Sequence, residues 1–313
     1  MKKMNKLLFC VMFFSFSLML NIAFADDITN GLIAWYPFDG NANDGSSFNN
    51  HAIPVGAKLV EDRFGNSNSA YFFDGSNDYI DLPHSNLNLY NVPSYSHSLW
   101  INLKEIKAIN GLISAHNGKG NYWHGLSCTV EGKLYLVMQN YNENKWFYWV
   151  TLSSCITANE WAHIVLTWKQ GGNISEDVNI YVNGIHNQLE NKIFYGTYDK
   201  SYIPKYVPND PVGSAFGRKN EDNPRHYLYG TLDDIRIYNR EISFNEVQQL
   251  YNEKAAVTGC INLKNNPIQT GKAMLMQSGE IFQSTSLDKN GCYKFYHVDE
   301  DKPFGVMIRR IIE

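Results

Sequence analysis

The sequence predicts an all-β chain: a sandwich or jelly roll followed by a second, small β domain. Three observations carry this. Runs of aromatic and β-branched residues alternate with Gly, Asn, Asp and Ser clusters along nearly the whole chain. In Leu134-x-Leu136-x-Met138 the apolar residues recur at period two, which buries one face of a strand. Only one stretch carries a full helix-start signature.

The first 25 residues are expected to be a signal peptide and no part of the fold. Lys2, Lys3 and Lys6 make a basic start, Leu7 to Leu20 is an apolar run, and Ala23-Phe24-Ala25 is a small-x-small cleavage site before Asp26. The run is too short to span a bilayer comfortably, and no later stretch is longer. The mature chain is therefore expected to be secreted, extracellular or periplasmic. Without these residues 24 basic side chains stand against 31 acidic ones, a net charge of −7. No basic stripe of the kind a nucleic-acid partner requires is present. Export also changes the reading of the cysteines. Four remain, an even number in an oxidising compartment, and their spacing fits no zinc pattern. Pairing inside each domain predicts Cys128–Cys155 and Cys260–Cys292.

The jelly roll is assigned to residues 26–256. Trp35 to Phe38 breaks into a segment crowded with side-chain oxygens: Asp39, Asn41, Asn43, Asp44, Ser46, Ser47, Asn49 and Asn50. Two readings stand side by side. These residue types favour plain turns, and a hard cation such as calcium gathers several oxygens on a flexible chain. Short strands are predicted at Ala70 to Phe73, Tyr79 to Leu82, Ser98 to Leu103, Lys133 to Gln139, Lys145 to Thr151, His163 to Trp168, Val178 to Val182 and Leu232 to Tyr238. Pairs such as Asp74-Gly75 and Asn183-Gly184 mark turns between them. Residues 192–211 hold five Tyr or Phe and three Pro without clean alternation, and read as a long surface loop. Ser243-Phe244-Asn245-Glu246 has capping-box spacing, with Ile242 and Val247 as the flanking staple. From Val257 a new β pattern begins, and residues 257–313 form the small second domain, where a staple would help a thin core.

Four segments, in order, carry a resemblance to the LamG-like jelly roll of the concanavalin A-like lectin/glucanase superfamily. They are Gly31 to Asp44, Asp62 to Ile80, Asn159 to Trp168 leading to Asn179 to Gly184, and Gly230 to Ser243 with the helix. Val257-Thr258-Gly259 and Leu287 to Phe295 resemble a carboxypeptidase-regulatory-like, prealbumin-like module. Both resemblances imply antiparallel β structure: an all-β chain with an antiparallel jelly-roll sandwich and a second, small β-sandwich domain. The first resemblance implies that the opening segment and Asp233-Asp234 lie close together, often around calcium. Its implied ligands are Asp39, Asn41, Asp44, Asp233 and Asp234. Asp233 alternates with Ile235 and Ile237, which points it toward the core side.

Catalytic signatures are missing from the sequence. No E-x-D-x-x-E strand, H-E-x-x-H helix, P-loop or G-x-S-x-G elbow occurs. The expectation is a non-catalytic, lectin-like protein that binds a glycan or polysaccharide. An adhesion protein with a surface-protein partner, or an accessory module of a polysaccharide-degrading system, is the alternative. Candidate ligand contacts are Tyr122, Trp123 and His124 after a glycine turn, and Tyr195, Tyr198 and Tyr202 in the long loop. In the strand Trp146 to Trp149 one alternate pair must face inward.

Overall fold

The computed structural model describes residues 27–82, 92–106, 108–116, 122–140, 144–198, 214–219 and 226–253, and beyond them 257–260, 262–263, 266–267, 271–277, 280–287, 292–295 and 304–310. The expected signal peptide lies outside the described residues. With strands numbered along the chain, one eight-stranded sheet contains β1 (Leu32–Tyr36), β3 (Lys58–Val60), β4 (Ala70–Asp74), β6 (Ser94–Leu103), β11 (Trp161–Lys169), β12 (Val178–Val182), β13 (Ile185–Asn187) and β16 (Tyr229–Tyr238). Its order is β13-β12-β11-β6-β16-β4-β3, with β1 also paired to β16. The other contains β2 (Ile53–Val55), β5 (Tyr79–Asp81), β7 (Asn110–His116), β8 (Tyr122–Cys128), β9 (Leu134–Asn140), β10 (Lys145–Thr151), β14 (Leu189–Tyr195) and β15 (Ala215–Phe216). It runs β14-β10-β9-β8-β7-β15-β5-β2. The named strand pairs are antiparallel.

Period-two patterning builds the core between the sheets. Leu99, Ile101, Ile164 and Leu166 of the first sheet meet Leu134, Leu136, Met138, Phe147 and Trp149 of the second, all essentially without solvent contact. Each such side chain adds about 1.5–3 kcal/mol on burial. Gly217 shows how tight the packing is. Its φ is +79°, and a Cβ there would stand 2.3 Å from the Phe73 ring.

The predicted helix forms as α1 (Phe244–Tyr251). Ser243 Oγ accepts from the Glu246 amide, and Glu246 Oε2 accepts from the Ser243 amide. Val247 and Leu250 join Ile242, Val165 and Tyr238 in a second cluster on the outer face of the first sheet. Residues 192–211, read as a loop, begin instead as strand. β14 reaches Tyr195 and pairs with β10 along its length, because backbone pairing does not require clean side-chain alternation at a sheet edge.

The expected Cys128–Cys155 bridge is not formed, and both cysteines are free. Cys128 Sγ points to the Thr129 carbonyl at 3.6 Å, and Cys155 Sγ to the Gly132 carbonyl at 3.7 Å. Burial pushes the Cys128 thiol up to about 12, so it is held as a neutral core group. Cys260 and Cys292 are directly opposed where β17 (Val257–Cys260) pairs with β22 (Cys292–Phe295); their side chains lie outside what is described. Two further sheets stand in this C-terminal stretch. β18 (Asn262–Leu263) pairs with β19 (Asn266–Pro267), and β20 (Gly271–Gln277) lies between β21 (Glu280–Ser286) and β23 (Phe304–Arg310). Ala273, Leu275 and Leu287 form a small core of their own.

Candidate functional site

Two candidate sites follow from the sequence, a cation site and an aromatic surface. The opening segment and Asp233-Asp234 do meet. Trp35 Nε1 donates to Asp234 Oδ1 at 2.7 Å, while its amide donates to Asp44 Oδ1 at 2.8 Å. The oxygens themselves are differently engaged. Asp44 accepts from the amides of Trp35, Ser46 and Asn50 and from the Ser46 hydroxyl, each at 2.8 Å. It is the organiser of a turn. Asn41 Oδ1 accepts from the Asn43 amide at 2.8 Å, and Asn41 Nδ2 donates to the Asp39 carbonyl.

Asp233 and Asp234 face arginines. Arg63 Nη1 donates to Asp233 Oδ2, and its Nη2 to Asp234 Oδ2 at 3.2 Å. Arg236 Nη2 reaches Asp234 at 3.3 Å and Glu253 at 2.7 Å. Asp233 is not on the core side as its alternation predicts. A bulge between Asp233 and Arg236, with Asp234 at φ 45°, resets the parity of β16. Asp233 then pairs with Trp100, while Leu232 and Ile235 enter the core. Burial alone would raise the Asp234 carboxyl, but Arg236 and Arg63 outweigh it and hold it well below the usual range. Burial opposes the Arg63 charge too, yet Asp234 and Asp233 raise its pKa further. For calcium the expected set leaves few open oxygens: Asp44 accepts four hydrogen bonds, and two guanidinium groups already face Asp233 and Asp234.

The aromatic surface emerges from the register of the second sheet. A row runs Ser114, Gly125, Val137, Tyr148, Lys192 across β7, β8, β9, β10 and β14. Beside it run Ser127, Tyr135, Val150, Glu190 and, on the other side, Gln139, Trp146, Tyr195. These rows face away from the core. Tyr135, Val137 and Val150 form their own cluster there with Trp146 and Tyr148 packed against it. The rings touch in sequence. Tyr195 lies 5.9 Å from Trp146, Trp146 4.6 Å from Phe194, Phe194 6.2 Å from Tyr148, and Tyr148 5.7 Å from Tyr135. Phe194 joins because a register shift in β14 between Ile193 and Tyr195 makes it the extra residue. The solvent end is Tyr195, 54% exposed, with Phe194, 39% exposed, under the Lys192 ammonium at 4.9 Å.

The other expected contacts divide. Trp123 pairs in register with Gln139 of the outer rows, whereas His124 pairs with Met138 of the core and Tyr122 with Asn140. The side chains of Tyr122, Trp123 and His124 lie outside what is described, as does Tyr202 entirely. Tyr198 is a core residue, 7% exposed. Its hydroxyl accepts from Trp168 Nε1 at 3.1 Å and donates to Asp177 Oδ2 at 3.0 Å. Asp177 also closes the turn at Gly171 and Gly172.

A match to the concanavalin A-like lectin/glucanases superfamily covers residues 74–248. The chain belongs to this superfamily. Among solved structures it is similar to domain 4 of an extracellular arabinanase from Geobacillus stearothermophilus, solved with arabinotriose. The identity is 18% and the TM-score 0.51, covering 71% of this chain and 98% of that one. It is also similar to the binding domain of botulinum neurotoxin serotype D, at 14% identity and TM-score 0.53, covering 92% and 80%. At these identities the likeness shows the concanavalin A-like fold. No curated protein matches the sequence. The family match does not reach residues 257–313.

Proposed function

We propose that this chain is an exported carbohydrate-binding protein without catalytic machinery, and that the β14 edge of its second sheet, where Phe194 and Tyr195 are exposed, receives the glycan. The observation that carries the reading is the run of touching rings from Tyr135 to Tyr195, exposed at the β14 edge. Sugar rings present apolar C–H faces that stack on aromatic side chains. Tyrosine and tryptophan offer large rigid area at small entropic cost. Glu190 and Lys192 stand on neighbouring rows, where they would meet hydroxyls. The arabinanase domain, solved with arabinotriose, supports a glycan as the ligand class. The basic start and apolar run of residues 1–25 support export, and N-terminal sequencing of the exported protein is expected to begin at Asp26. Residues 257–313 are read as a second β module of prealbumin-like type, on the resemblance of their sequence.

The test is a panel of soluble polysaccharides, arabinan among them, against the wild type and Trp146→Ala. Wild type is expected to bind at least one in the micromolar to millimolar range, about −8 to −4 kcal/mol, and the variant to lose it. Wild type that binds none leaves adhesion to a surface protein as the reading.

A further inference from the structure

We propose that Arg63 is the built-in cation of this jelly roll, holding the Asp233-Asp234 pair so that the folded chain needs no metal there. Three independent features place it. The Asp62 to Asn66 loop is closed by its own bonds: Asp62 Oδ1 accepts from the amides of Phe64 and Asn66, and Oδ2 from Asn66 Nδ2, each at 2.8 Å. This fixes the backbone from which Arg63 projects. The guanidinium then lies between two rings, 4.4 Å from Phe64 and 4.7 Å from Trp100, an arrangement that favours a cation. Its two terminal nitrogens meet two different carboxylates, which the bulge at Asp234 brings to one side of β16.

The chemistry suits arginine better than calcium. A calcium ion requires six to eight oxygens at short range. Here guanidinium, indole and phenyl groups stand against the carboxylates, with Trp35 Nε1 and Arg236 on Asp234 and the Glu253 carboxylate shared by the same Arg236. The Arg63 side chain is only 9% exposed. A planar fork reaches both carboxylates at once, which an ammonium cannot reproduce.

The experiment uses the full mature chain. Its melting temperature is measured with calcium and with excess chelator, and its metal content by mass spectrometry after dialysis against calcium. The expected result is a melt indifferent to both and no stoichiometric calcium. Arg63→Ala should melt well below wild type, and Arg63→Lys should fall between them while staying indifferent to chelator. A wild-type melt that drops on chelation, one calcium retained per chain, or an Arg63→Ala as stable as wild type would overturn the proposal. Should Arg63→Ala not fold, wild type and Arg63→Lys decide it.

Discussion

Single residues with the largest consequences here are buried polar groups. Tyr198 joins Trp168 to Asp177 through one hydroxyl. Removing that oxygen leaves a buried indole N–H without its acceptor, so Tyr198→Phe is expected to cost about 1–3 kcal/mol. A denaturant titration reads this directly. His163 is buried against Trp100 and Tyr251, with Nε2 2.8 Å from Ser98 Oγ. Burial pushes its pKa down to about 3. Unfolded, it titrates near 6.5, so between those values the unfolded chain binds the extra proton. Its contribution to stability is complete above about pH 6.5 and is lost as pH falls toward 3, at up to about 1.4 kcal/mol per pH unit. Denaturation midpoints across that window should flatten in His163→Gln. The sequence placed His163 in an apolar strand. Tyr198 was not legible, because its partners Asp177 and Trp168 are 21 and 30 residues away.

At the scale of elements, legibility follows the range of the forces. The helix start was readable because Ser243 and Glu246 cap each other within one turn. Ser243→Ala is expected to lower stability by about 1 kcal/mol, seen as a small drop in melting temperature with an unchanged far-ultraviolet spectrum. β10 was readable in position but not in direction: alternation showed that one of its aromatic pairs must be buried. Pairing with β9 was needed to show that Phe147 and Trp149 go in while Trp146 and Tyr148 stay out. The bulge in β16 was hidden for the same reason. Nothing local in Leu232 to Tyr238 announces a positive φ at Asp234, where the pairing with β6 shifts register. That one residue moves Asp233 from the expected core side to the arginine.

For the whole molecule, strand patterning was enough to predict an all-β sandwich or jelly roll, and the resemblances implied its antiparallel pairing. The contact between Trp35 and Asp234, 199 residues apart, came from the resemblance of four segments in order. What fills that contact, and which face carries exposed rings, depends on tertiary register. The sandwich thus separates two tasks. The first sheet's outer face is closed by α1 and the arginine–carboxylate cluster, whereas the second sheet's outer face leads its rings to solvent at β14. The most direct test of this division is isothermal titration of the best-bound oligosaccharide into wild type and Tyr195→Ala, with a thermal melt of each. Tyr195 is more than half exposed, so the account predicts at least about tenfold weaker binding, roughly 1.4 kcal/mol, at an unchanged melting temperature. Equal affinity in the two proteins would contradict it.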